Sequence, residues 1–274
     1  MFYLGKDMFA AGVGKIVFFF AIWIFLWLPV AIPLSRQINY QFPQVATTKQ
    51  KLILVASLYP IALLILWGMV AKHFLSWRAI SWSWELKELW LILFGVALAI
   101  SSLIVVFAIQ RITGLIVWQI ENSSRLLSLV LPIFALALGI SFVEELVFRG
   151  FLVGELAIEH SYWLGAIASS ILFAVLHLVW ERQETIPQLP GLWLMGMVLT
   201  LATVAAENKI GIAVGLHAGW ILGLTAIDSA ELVNYNTAEN SWLTGINRQP
   251  LAGAFGILCL LLVGAILLLL NGKL

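Results

Sequence analysis

The 274-residue chain is 62% hydrophobic and only 11% charged, with a mean hydropathy of +1.02; an ordinary soluble domain carries about 25% charged residues, so a soluble globular fold is excluded. Fifteen Lys and Arg against fourteen Asp and Glu leave a net charge of +1, too little to draw the chain to nucleic acid or to an anionic surface. The single cysteine, Cys259, excludes both a disulfide framework and a thiolate metal cluster.

Crossing a hydrocarbon core takes about 20 predominantly apolar residues, and eight stretches approach that length. The first, 16–34, follows Lys6 and Lys15 but has no small-x-small cleavage pattern, so it reads as a retained helix rather than a signal peptide. The stretches 52–71, 89–109 and 251–270 are equally free of charge. Between them lie 126–143, 162–179, 191–206 and 210–227, which are shorter and carry or adjoin polar groups. An ionisable side chain facing lipid costs several kcal/mol, so these four are expected to turn their polar groups toward the bundle interior. The functional core is therefore placed at 126–227. The segment 228–250, polar and rich in Asn, is expected to be an exposed loop. Thirteen tryptophans, many near the ends of apolar runs, suit interfacial belts. Loop Lys and Arg are shared evenly between the two sides and set no orientation. The expected fold is all-α: one integral membrane domain over 1–274 with about eight transmembrane helices, in contact with membrane lipid in the plasma membrane or another inner cellular membrane.

Three places in the core carry polar chemistry. At the end of the fourth span, Glu144 and Glu145 are adjacent and Arg149 follows. On a helix Glu145 and Arg149 share a face, acid before base, which favours an ion pair. Glu144 then points about 100° away without a local counter-ion, as suits a general base or acid. By themselves the two glutamates equally fit a helix end at the headgroup level. His177 ends the fifth span and His217 lies near the middle of the seventh. Either one alone reads as a hydrogen-bonded core histidine, but two on separate helices, with Glu144, can hold and polarise a water. They are expected to meet in one polar cavity. One carboxylate and two imidazoles also suffice for zinc with an open position, through Glu144, His177 and His217. His73 and His160 adjoin loops and read as interfacial. Gly211, Gly215 and Gly219 leave one face of the seventh span nearly bare, for close helix packing that would hold His217 in place.

Taken together, Glu144-Glu145-x-x-x-Arg149, Phe173-x-x-x-His177 and His217 on three helical regions resemble the motifs of the CPBP intramembrane protease family, also known as the CAAX protease and bacteriocin-processing or Abi family, which includes the Ras-converting prenyl endopeptidases. The resemblance covers roughly 126–227. It implies an endopeptidase in which Glu144 activates water, Glu145 orients the site in a pair with Arg149, His177 helps to hold the water, His217 stabilises the oxyanion and Phe173 lines the cavity. The family pattern has Asn four residues after the second histidine; here that position is Ile221, which cannot donate a hydrogen bond. Losing one oxyanion donor typically costs about 10²- to 10³-fold in rate, and Trp220 and Thr225 are the nearest other donors in the sequence. The chain lacks HExxH, so the water site is expected to need no cofactor, with zinc as the alternative. The implied substrate is a peptide or a lipidated protein. Two rival readings are a non-catalytic scaffold or assembly factor with a membrane-protein partner, and a proton-coupled transporter using the same Glu and His residues.

Overall fold

A computed structural model describes residues 12–41, 44–179, 182–238 and 241–271; Lys6 lies outside them. The eight expected helices are present, with the short α5 between the fourth and fifth of them: α1 (Gly12–Gln37), α2 (Thr48–Ala71), α3 (Leu86–Ile112), α4 (Ser123–Glu145), α5 (Val153–Glu159), α6 (Tyr162–Leu176), α7 (Leu189–Ala205), α8 (Gly211–Ser229) and α9 (Ala254–Leu270). Among the described residues, seven helical segments are long and apolar enough to cross a membrane; α9 is apolar but shorter, at 17 residues. The chain is thus an all-α polytopic membrane protein.

Pro29 and Pro33 lie inside α1, Pro60 inside α2 and Pro132 inside α4. Proline is tolerated in membrane helices because neighbouring groups re-satisfy the backbone that it frees. Polar tips fasten the outer pair: Trp23 donates to the carbonyl of Leu58 at 2.9 Å and Trp27 to Ser57 Oγ at 3.0 Å, holding α1 against α2. A capping box at Thr47 and Gln50 starts α2. Lys15 pairs with Glu155 at 2.9 Å and ties α1 to α5.

Helix α8 packs chiefly on α3, then on α4. The bare glycine face does what its spacing predicts. A Cβ on Gly95 would stand 2.9 Å from Gly215 Cα, and one on Gly219 would stand 2.6 Å from Ala99 Cβ, so the two backbones are in direct contact. Histidines 73 and 160 are exposed just beyond helix ends, as expected.

Two features depart from the sequence expectation. The chain does not leave the helical path after Glu145. It widens into a π-helical turn, Leu146–Leu152, whose seven residues are all buried, and then continues as α5. The close approach of Ile80 to Gly150 leaves no room there for a Cβ, and the hydroxyl of Ser169 on α6 donates to the carbonyl of Phe148 at 2.7 Å. Such π turns are concentrated at functional sites. The segment 228–250 is not simply an exposed loop either. Its strand β2 (Val233–Tyr235) pairs antiparallel with β1 (Ile116–Trp118), and both Leu232 and Thr244 are buried. Pairing across the ends of α3 and α8 satisfies backbone groups while Leu232 is withdrawn from water.

Candidate active site

Glu144 and Glu145 are the last two residues of α4, and Arg149 lies inside the π turn. Glu145 is fully buried and Arg149 is 2% exposed; their expected pair forms, Arg149 Nη1 to Glu145 Oε1 at 2.9 Å. The guanidinium also lies over the Phe173 ring, 4.4 Å from its centroid, where the π face offsets part of its lost hydration. Phe173 is thus the surface on which the buried cation rests.

From α8, His217 Nδ1 approaches the same Glu145 Oε1 at 2.8 Å across 72 residues of sequence. Spacing within the α4 motif cannot reveal this contact. Glu145 accepts from both Arg149 and His217, so it is the hub of a buried triad. With Nδ1–H donating to the carboxylate, His217 Nε2 faces the other glutamate, 3.7 Å from Glu144 Oε2. That is too long for a direct hydrogen bond but short enough for both atoms to contact one shared oxygen.

Glu144 lacks a local counter-ion, as expected, yet it has a partner: the hydroxyl of Tyr59, on α2, donates to its Oε1. Its side chain keeps 14% of its exposure, and Oε2 is buried without a hydrogen bond. Tyr59 lies outside the 126–227 core, and sequence reasoning missed it. The available signal was a phenol at the centre of an uncharged span, since a tyrosine tip in an apolar setting normally finds a polar partner.

His177 opens the 3₁₀ turn that follows α6. Its Nδ1 lies 2.7 Å from the carbonyl of Phe173, so Nδ1 carries the proton and Nε2 is left as the acceptor nitrogen. Its ring meets Phe173 edge-on with centroids 4.6 Å apart, and His217 meets the same ring at 5.9 Å. Phe173 therefore joins the two imidazoles and Arg149 in one cluster. Glu144, Glu145 and His217 thus meet directly, and His177 joins them through the shared Phe173 ring.

Ile221 lies one turn beyond His217 on α8 and is half-buried. Neither candidate substitute donor serves. Trp220 donates its indole N–H to Ser102 at 3.2 Å, and Thr225 is exposed. Tyr59 is the hydroxyl that reaches Glu144. Among the described residues no three of His, Cys, Asp and Glu stand close enough together to hold a metal ion.

No curated protein and no solved structure is significantly similar to the chain. A protein-family model does match: that of the type II CAAX prenyl endopeptidase Rce1-like proteins, over residues 126–222. The match contains Glu144, Glu145, Arg149, Phe173, His177, His217 and Ile221, excludes Tyr59, and supports a CAAX protease type of function in general. The resemblance read from the motifs is borne out over residues 126–222, which are similar to the type II CAAX prenyl endopeptidase Rce1-like family.

Proposed function

We propose that the chain is an intramembrane endopeptidase that hydrolyses a peptide bond with water activated between Glu144 and His177. The observation that carries this reading is the junction of Glu144, Glu145 and His217 at the end of α4, with His177 on the same Phe173 ring. The reaction needs no cofactor. Water donates to Glu144 and to the acceptor Nε2 of His177. Glu144 removes its proton as the oxygen attacks the scissile carbonyl carbon. The oxyanion that develops accepts a hydrogen bond from the imidazole of His217, which Glu145 holds through Nδ1. Glu144 then returns the proton to the leaving amine as the C–N bond breaks. Tyr59 fixes the Glu144 carboxylate by occupying one of its oxygens, and the ion pair with Arg149 holds the Glu145 carboxylate in place. With Ile221 in place of Asn, the oxyanion has one donor fewer and turnover is slow. The substrates are membrane-associated peptides or lipidated proteins.

The test is proteolysis by purified protein in proteoliposomes, with lipidated and unlipidated peptides, beside Glu144→Gln. Cleavage by the wild type that disappears in the variant supports the reading. Cleavage that survives Glu144→Gln removes Glu144 from its role, and no cleavage of any peptide favours the non-catalytic scaffold to which Ile221 would be suited. Proton flux across the same liposomes would favour transport.

A further inference from the structure

A hydroxyl buried in a membrane helix ordinarily bonds the carbonyl one turn back along its own chain, because no water is there to receive it. Ser102 donates in this way to Ala99 at 2.7 Å, Thr200 to Gly196 at 3.0 Å and Thr203 to Leu199 at 3.1 Å. Among the described residues two buried hydroxyls have no hydrogen bond, those of Ser141 and Ser170. Ser170 is pressed against Gly196 of α7, where two helices meet closely. Ser141 lies on α4, fully withdrawn from solvent, four residues before Glu145 and three before Glu144. An alanine there would leave no polar atom unsatisfied and would stabilise the helix at least as well. A polar group kept against that cost is expected where the chemistry uses it.

The direction of two helices places Ser141 relative to the reacting centre. Arg125, in the first turn of α4, pairs at 3.3 Å with Glu231, just beyond α8, and Asn122 donates to the Glu231 carbonyl at 2.9 Å. Near the other end of α4, Glu145 meets His217 in the first half of α8. The two helices are therefore antiparallel, and residues before Glu145 lie alongside residues after His217. Four residues carry either helix about 6 Å along its axis and back to nearly the same face. That step leads from Glu145 to Ser141 on α4 and from His217 to Ile221 on α8. Ser141 thus stands at the level of Ile221, the position to which the family pattern gives Asn.

We propose that Ser141 is a catalytic residue of the peptidase site, whose Oγ–H donates to the oxyanion beside the His217 imidazole and offsets part of the loss of the Asn amide. This rests on the peptidase reading. The hydroxyl rotates freely, so it can turn toward an oxygen whose charge develops only as the carbonyl carbon becomes tetrahedral. It comes from the α4 wall, leaving room for a further donor on α8, so Ile221→Asn still adds to the rate. Ser141 Oγ and Glu144 Oε2 are closed from solvent alike, and a substrate that reaches the glutamate has the serine one helical turn away.

Wild type, Ser141→Ala, Ile221→Asn and the double variant are compared in proteoliposomes by steady-state kinetics and in detergent by thermal unfolding. Ser141→Ala should lower kcat about tenfold or more, keep KM within about twofold, and leave Tm unchanged or raised, because it removes an unsatisfied polar atom. Since both groups serve one oxyanion, Ile221→Asn should raise kcat by a larger factor in the Ser141→Ala background than in the wild type. An unchanged kcat in Ser141→Ala would overturn the proposal, as would a raised KM at constant kcat, which marks a contact to the ground-state substrate. A Ser141→Ala protein that unfolds or loses Tm would show a structural hydroxyl and overturn it too. Wild-type cleavage that Glu144→Gln abolishes but Ser141→Ala leaves intact removes this assignment alone. Wild type without Glu144-dependent cleavage overturns the peptidase reading and this assignment with it.

Discussion

Replacing Glu145 with Gln separates its structural role from the chemistry assigned to Glu144. Glu145 Oε1 accepts from Arg149 at 2.9 Å and from His217 at 2.8 Å, with all three side chains essentially withdrawn from solvent. Solvent screening is therefore negligible, and the loss is that of one member of a buried charge pair, about 3 to 5 kcal/mol. The Gln carbonyl still accepts one of the two hydrogen bonds, and the Phe173 face still supports the guanidinium, so the lower end applies, about 3 kcal/mol. For a protein of this size that corresponds to a fall in Tm of roughly 10 °C. Glu144→Gln removes no ion pair of normal length, since His217 Nε2 is 3.7 Å away, and its amide oxygen can still accept from Tyr59. That variant should shift Tm by only a few degrees while abolishing peptide cleavage. Thermal unfolding in detergent of wild type and both variants, followed by peptidase assays on the folded fractions, checks both halves. Equal destabilisation by the two substitutions would refute this division of roles.

Tyr59→Phe keeps the ring and removes the hydroxyl that holds Glu144; kcat should fall about tenfold or more with little change in Tm, and an unchanged kcat would confine Tyr59 to packing. Ile221→Asn adds an amide N–H₂ one turn from His217 and should raise kcat about tenfold with KM nearly constant; steady-state kinetics of the two proteins would expose a role already filled by another donor. At the aqueous end of α3, the side-chain hydrogen bond from Lys209 to Glu85, 2.8 Å long, holds the Glu85 carboxyl below its ordinary range. A carboxylate with a depressed pKa stabilises the fold above the unfolded-state value and loses that contribution as pH falls through the folded-state value. Lys209→Met should therefore lower Tm slightly at neutral pH, with the difference from wild type closing in acid. A difference that persists below the carboxylate range would point to the lost packing of the lysine stem.

Much of this architecture is legible in the residue string because bilayer physics is local. A run of apolar residues long enough to cross the hydrocarbon core must be a helix, as the spans at 16–34 and 89–109 became α1 and α3. The i,i+4 pairing of Glu145 with Arg149 is equally local, and the four-residue glycine repeat at 211, 215 and 219 announces a close helix contact without saying with which helix. The tertiary structure decided that this partner is α3, that His217 reaches Glu145, that Phe173 carries a cation as well as two imidazoles, and that Tyr59 comes from the second helix to hold Glu144. These are contacts between residues tens of positions apart. Periodicity along one helix specifies which face turns inward but not which neighbour it meets, because that depends on how the whole bundle fills its interior. The π turn after Glu145 has the same origin: its seven residues are an ordinary apolar sequence, and the wide turn is held by Ile80 against Gly150 and by Ser169 on the freed carbonyl of Phe148, both supplied from elsewhere in the chain.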